Sequence, residues 1–251
     1  MAAVKGVALV TGASRGLGAV IAERLARDGW AVAVNYRSDA EGARRLTERI
    51  RAAGAPAEAF AADVTDEAQV SDLVGRVTER LGPVRVLVLN ATGPQPSVAF
   101  EDLTWDTHLD QLRFFVKSPT LLVQAALPGM KAGGGGRVIQ IGSDIVDRLV
   151  PGMSAYAAAK AAQLGLTRAW ARELGAHGVT VNLVAPGWIP VERHSGASDE
   201  ELDSYRSDVP LGRMGTPEDV AAAVSYLASD AAGFVTGQTV TVNGGHTLGD
   251  I

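Results

Sequence analysis

The stretch "VALVTGASRGLGAVIAERLA", residues 7–26, decides the fold. A short apolar run, residues 7–11, passes through Gly12, Gly16 and Gly18 into a pattern of helical period. A run that short and that apolar, bounded by glycine, reads as a strand buried on both faces. Glycines at this point permit a tight turn, let a diphosphate approach the backbone, and aim a helix N-terminus at the anion. A lone glycine triplet says little, because turns use glycine anyway. Its place in the first strand–turn–helix unit gives it weight. The spacing is G-x-x-x-G-x-G, which differs from the usual G-x-G-x-x-G of dinucleotide folds.

Outward from this unit, apolar runs alternate with longer helical patterns to the end of the chain. Strands are expected at 7–11, 31–35, 57–61, 86–90, 137–141, 180–185 and 239–242. Helices are expected at about 18–28, 38–53, 66–81, 104–130, 155–175 and 216–229. Start signals are Ser38, Thr65 and "TPED" at 216–219, with proline at the first helical position. The alternation predicts an α/β fold: a Rossmann-like doubly wound parallel sheet of about seven strands flanked by helices, in a single domain over 1–251. "AGGGGR" at 132–137 reads as a helix-to-strand connection and not as a phosphate cradle. Segment 187–215 has weak periodicity and follows a strand's carboxyl end, which makes it the candidate substrate loop.

Composition bounds the function. The 251 residues are 47% hydrophobic and 20% charged, with a net charge of -5, which argues against a nucleic-acid partner. No apolar run approaches the roughly 18 residues that cross a bilayer. "MAAVKGVALVTGAS" enters a strand pattern at once, leaving no room for a signal peptide and suggesting a cytoplasmic protein. Cysteine is absent, and His108, His177, His194 and His246 are dispersed, so no metal site is expected and the histidines read as surface or loop residues.

A second stretch carries chemistry: "IGSDIVDRLVPGMSAYAAAK", residues 141–160. Tyr156 and Lys160 are four apart, so on a helix they share a face. An ammonium near a phenol favours the phenolate and lowers the tyrosine pKa, suiting it to acid–base work near neutral pH. The pair alone is common in helices and gains meaning only from its surroundings.

Taken together, "TGASRGLG", Ser143 thirteen residues before Tyr156, "SAYAAAK", "APGWI" (185–189) and the segment 213–245 resemble the short-chain dehydrogenase/reductase family, in particular bacterial 3-oxoacyl-carrier-protein reductases and related carbonyl reductases. The resemblance spans essentially the whole chain. It implies a catalytic Ser143, Tyr156 and Lys160. Tyr156 would protonate a carbonyl oxygen as hydride arrives, Ser143 would hydrogen-bond that oxygen, and Lys160 would hold the nicotinamide ribose and bias Tyr156 toward ionisation. It also implies cofactor contacts from Gly12, Ser14, Arg15, Gly16, Leu17, Gly18, Asp63, Val64, Asn90, Ala91, Pro186, Gly187 and Ile189, besides Tyr156 and Lys160.

The cofactor expected is NADP(H). By alignment to the family, Tyr36 stands where NAD-preferring members carry an acid, and Arg37 follows it, a guanidinium suited to a 2′-phosphate. Asp39 comes three residues late and falls where the next helix begins.

Four positions depart from the family pattern. Leu89 and Thr92 break its Asn-Asn-Ala-Gly motif around Asn90 and Ala91. Val191 replaces a threonine that contacts the carboxamide, so that contact either comes from backbone, as at Ile189, or is missing. Phe115 stands where most members carry an asparagine that completes a catalytic tetrad and holds a water relay. Gln111, one turn earlier, is a candidate replacement for that relay, the alternative being that it faces solvent.

The expected activity is reduction of a small-molecule carbonyl, either a 3-oxoacyl thioester or a secondary-metabolite ketone. The places where the family docks an acidic carrier are here the glycine run at 133–136 and His177, in a chain that is itself acidic. Met153, Trp188 and "TGPQP" are candidate pocket residues. The segment "GFVTGQTVTVNGG" suggests, by resemblance, a homo-oligomer, specifically a tetramer. The rival reading is a catalytically silent NADP-binding sensor or structural subunit.

Overall fold

The central strands are mainly apolar because both of their faces are covered. In β1 (Val7–Val10), Ala8 and Val10 enter one core and Val7 and Leu9 the other, as a side-chain period of two requires. A computed structural model describes residues 4–192, 196 and 198–248; His194 and parts of segment 187–215 lie outside them.

After β1 the chain runs α1 (Gly16–Arg27), β2 (Ala31–Tyr36), α2 (Ala40–Ala52), β3 (Ala57–Ala61), α3 (Glu67–Arg80) and β4 (Val84–Leu89). It continues through α4 (Trp105–Leu112), a π-helical turn (Arg113–Lys117), α5 (Ser118–Ala132) and β5 (Gly136–Ile141). Then come α6 (Ile145–Arg148), α7 (Ser154–Leu174), β6 (Val179–Pro186), α8 (Asp199–Ser207), α9 (Pro217–Ala228) and β7 (Thr239–Val242). The sheet has seven strands in the order β3-β2-β1-β4-β5-β6-β7, and every pairing is parallel. Residues of α1, α2 and α9 build the core on one face, and those of α3, α5 and α7 the core on the other. The doubly wound parallel sheet expected from the sequence is thus the fold observed.

The strand order reverses between β1 and β4, and a crevice opens at the carboxyl ends of strands on either side of such a point. The glycine turn leaves β1 there, Asn90 leaves β4, and Ser143 follows β5.

Three expectations need correction. The span 104–130 is not one regular helix: α4 and α5 are joined by the π turn, which inserts extra backbone at Phe115. Segment 187–215 is not all loop, because α8 forms within it behind a capping box of Ser198 and Glu201. Two caps sit one residue later than expected. Asp39 and Asp66 accept the Gly42 and Gln69 N–H groups, while Thr65 bonds Asp63 through both its N–H and its hydroxyl. Thr216 caps α9 with Pro217 behind it, as the sequence indicates. The glycine run is the connection it was read to be, with Gly133 ending α5 and Gly136 opening β5.

Candidate active site

The glycine turn is shaped by close approach. Gly12 has φ +62°, and a Cβ there would lie 2.9 Å from the Ala91 backbone. A Cβ on Gly18 would lie 2.5 Å from Asn90 Nδ2 and 2.6 Å from the Gly12 carbonyl oxygen. The turn is laced to β4 by Thr11, whose hydroxyl accepts the Asn90 and Ala91 N–H groups at 3.0 Å each and donates to the Val88 carbonyl at 3.2 Å. Asn90 Nδ2 returns bonds to the Thr11 and Gly12 carbonyls at 2.9 and 3.1 Å. Asn35, buried at the end of β2, accepts the Gly12 N–H at 3.3 Å and donates to the Phe60 and Ala62 carbonyls. Thr11 and Asn35 were not singled out from the sequence. The available signal was a polar residue in an otherwise fully buried strand, which must be hydrogen-bonded.

A cleft of about 620 Å³ runs across this end of the sheet. Gly12, Ser14, Arg15, Gly16, Leu17, Gly18, Arg37, Asp63, Val64, Asn90 and Ala91 line one part of it. Ser143, Tyr156, Pro186, Gly187 and Ile189 line the rest, with Met153, Trp188, Thr92 and Gln95 of the candidate pocket residues. Arg37 stands 3.7 Å from Asp63 across the mouth of β2 and β3. Burial pushes the Asp63 carboxyl up, but the two Thr65 bonds and the Arg37 charge outweigh it and leave the group below its ordinary value. Asp63 therefore stays a carboxylate.

Lys160 is placed differently from the rest. It is 4% exposed and does not line the cleft. Its ammonium donates to the Ile141 carbonyl at 2.7 Å, tying α7 to the end of β5 two residues before Ser143. Ser143 Oγ accepts the Ile145 N–H at 3.1 Å, which leaves its own hydroxyl proton available.

Phe115 closes the back of this group. Its ring meets Tyr156 edge to face with centroids 5.5 Å apart, and the Lys160 ammonium lies 3.8 Å from its centroid. The same ammonium is 5.6 Å from the Tyr156 centroid. A buried ammonium needs compensation, and an aromatic face supplies part of it through its quadrupole. Phe115 thus contacts both the lysine and the tyrosine. Gln111 does not face solvent: it is 3% exposed and donates to the Pro94 carbonyl at 2.9 Å, with Oε1 buried and unpartnered among the described residues.

Behind the cleft wall at Arg148 and Trp188 stand side chains that hold it in place. Asp144 is fully buried, accepting Arg148 Nε at 3.0 Å and Asn243 Nδ2 at 3.3 Å. Tyr205 of α8 accepts the Trp188 N–H at 2.9 Å, stacks edge to face on Trp188, and packs 4.5 Å from the His246 ring. Burial pushes the Tyr205 phenol up, against the pull of the Trp188 N–H, so it stays neutral. His246 is a loop residue after β7, as expected, but it is wedged between Tyr205 and Asp144, with Nδ1 3.8 Å from that carboxylate. Asp144 and Asn243 meet across 99 positions, and His246 reaches Asp144 from the same distant segment, so no local pattern announces these contacts. Among the described residues no group of histidine or acidic side chains could hold a metal ion, and no helix is long and apolar enough to cross a membrane.

Comparison with known proteins adds a second line. Residues 12–247 match the family model described as enoyl-(acyl carrier protein) reductase. The chain is 40% identical over 240 residues to a 3-oxoacyl-[acyl-carrier-protein] reductase of Staphylococcus aureus, covering 95% of this chain and 96% of that one. A doubly substituted short-chain dehydrogenase/reductase of Serratia marcescens superposes with a TM-score of 0.91 at 35% identity, over 98% of this chain and 99% of that one. A blue fluorescent protein from a metagenomic library, solved with NADPH, superposes with a TM-score of 0.88 at 38% identity over the same shares.

Proposed function

Because the chain belongs to the short-chain dehydrogenase/reductase family, we propose that it is an NADPH-dependent oxidoreductase reducing a ketone to an alcohol, with Tyr156 as the general acid. The observation that carries the reading is the meeting of Ser143 and Tyr156, backed by Lys160, in one cleft with the glycine turn at the strand-order reversal.

The cleft suits a phosphorylated dinucleotide. Gly12 and Gly18 have no room for a Cβ, so the turn presents bare backbone at a helix N-terminus, the arrangement that receives a diphosphate. Asp39, the nearest acid after β2, is committed to the Gly42 N–H as the cap of α2, so it competes poorly for ribose hydroxyls. Arg15 and Arg37 are exposed cations lining the same part of the cleft. Two relatives of the fold are described with this cofactor, one with NADPH and a gluconate 5-dehydrogenase of Burkholderia cenocepacia with NADP. When bound, the reduced nicotinamide supplies the hydride.

The chain's own residues supply the rest. Ser143 directs its hydroxyl proton to the carbonyl oxygen, where charge develops, and Tyr156 delivers a proton there. Lys160 keeps a positive charge behind the phenol, fixed by the Ile141 carbonyl and the Phe115 ring. The family's water-holding asparagine is replaced by an aromatic face that cannot donate or accept. The ring supplies no water relay, but with the Ile141 carbonyl it holds the ammonium in place beside the phenol.

The substrate is a small carbonyl compound, a 3-oxoacyl thioester or a secondary-metabolite ketone, closed over by segment 187–215 with Tyr205 as its anchor. A cytoplasmic homotetramer belongs to the same reading. It is supported by β7 lying at the sheet edge and by Phe234, fully exposed just before it. Steady-state NADPH oxidation across a panel of ketones tests the proposal.

A further inference from the structure

Arg148 stands in the cleft with Ser143 and Tyr156, and no step above uses it. Of the charged side chains lining the cleft among the described residues, Arg15, Arg37, Asp39 and Asp63 belong to the part formed after β1, β2 and β3. Glu192 stands beside Gly16, its carboxylate 3.2 Å from where a Cβ would be. Arg148 alone follows β5, five residues after Ser143.

It is held there from several sides. The fully buried Asp144 takes its Nε, and the Tyr205 ring lies 5.3 Å from its guanidinium carbon. Leu149, next in the chain, has φ +51°, the one non-glycine residue in the left-handed region among the described residues. A branched side chain rarely adopts that conformation, and it persists only where the surroundings over-determine it. The turn it makes leaves Arg148, Val150 and Met153 all on the cleft wall.

A guanidinium carries five N–H donors in a rigid fork, and Asp144 engages only the Nε. The two terminal nitrogens make no hydrogen bond among the described residues, and the side chain keeps 23% of its surface exposed while its partner keeps none. Asp144 thus holds the guanidinium through one edge, and the terminal fork is left over on a residue that lines the cleft. Neutral ketones offer that fork only weak acceptors. A carboxylate matches it in geometry and charge.

We propose that Arg148 is a specificity-determining residue that binds the carboxylate of a small oxo acid while Ser143 and Tyr156 address its ketone. This rests on the carbonyl-reductase reading and narrows its substrate to a ketone that carries a free carboxylate, in place of a thioester.

The test is calorimetric binding of levulinate and its methyl ester, with the two next longer oxo acids and their esters, to enzyme saturated with NADP. Wild type is compared with Arg148→Lys and with the charge-neutral pair Asp144→Asn/Arg148→Gln, whose folding is checked by circular dichroism. In wild type at least one acid is expected to bind on the order of 10- to 100-fold more tightly than its ester, the range of a hydrogen bond to a charged group. Arg148→Lys keeps charge but loses the fork, and should lower that ratio; the double variant should bring it close to unity. If the double variant does not fold, Arg148→Lys alone decides, and an undiminished ratio in it overturns the proposal. Equal binding of acids and esters by wild type, or no binding of any acid, overturns it as well. NADPH oxidation measured in parallel separates the two readings. Acid preference without oxidation sinks the reductase and leaves Arg148 standing, whereas oxidation of acids and esters with equal affinity does the reverse.

Discussion

The Lys160 ammonium lies 3.8 Å from the centroid of the Phe115 ring while donating at 2.7 Å to the Ile141 carbonyl. A cation–π contact this buried is worth about 2 kcal/mol. Phe115→Leu removes the ring face and should lower kcat by up to roughly 30-fold, with NADPH affinity nearly unchanged. Phe115→Tyr keeps the face and should retain most of the turnover. Wild-type kcat in the leucine variant would show that the ring only fills space.

Arg37 is 63% exposed and only loosely paired with Asp63 at 3.7 Å, so its charge is available to a phosphate at the cleft edge. Arg37→Ala should weaken NADPH binding by about 10- to 100-fold, the worth of a hydrogen bond to a charged group, and NADH binding far less. Fluorescence titration of both cofactors checks this; equal losses for the two would remove Arg37 from phosphate recognition.

Gly18 is expected to be the least replaceable glycine of the turn. A methyl there would meet Asn90 Nδ2 at 2.5 Å and the Gly12 carbonyl oxygen at 2.6 Å, and the second of these is backbone and cannot swing away. Gly18→Ala should cost about 1–3 kcal/mol in stability, the usual penalty of overpacking, and should also weaken NADPH binding. Denaturant unfolding with and without cofactor measures both.

Asp219 accepts bonds from Arg213 and from the N–H and hydroxyl of Thr216, closing the capping box of α9. The Arg213 bonds, reinforced by Thr216 and opposed by burial, hold its carboxyl well below the ordinary range. Its folded pKa lies below its unfolded one. Its contribution is therefore full above the ordinary carboxylate pKa of about 4 and is lost as pH falls through and below that value. Arg213 is largely exposed, so solvent screens the pair and the cap sets the scale. Asp219→Asn should cost about 1 kcal/mol at pH 7 and nothing at low pH. A cost independent of pH would contradict this.

Much of this was legible in the sequence because the decisive signals are local. The apolar strands, the glycine turn and the spacing of Ser143, Tyr156 and Lys160 each express a period or a short motif. The π turn at Phe115 was not legible, since one extra residue leaves the apolar pattern of a long helix nearly unchanged. Helix α8 is short and polar outside Leu202 and Tyr205, so periodicity missed it, although Ser198 and Glu201 had the spacing of a capping box. The wall of Asp144, Arg148, Tyr205 and His246 depends on contacts between distant segments, which no window of sequence contains.

The central claim, proton delivery by Tyr156 during NADPH-dependent ketone reduction, is tested most directly by comparing wild type with Tyr156→Phe. NADPH oxidation would be followed across the ketone panel, and cofactor affinity measured separately. The wild type should oxidise NADPH with at least one ketone. The variant should bind NADPH normally and turn over at least ~100-fold more slowly, the share of a positioned general acid. Near-normal turnover by the variant, or no ketone-dependent oxidation by the wild type, would contradict the account.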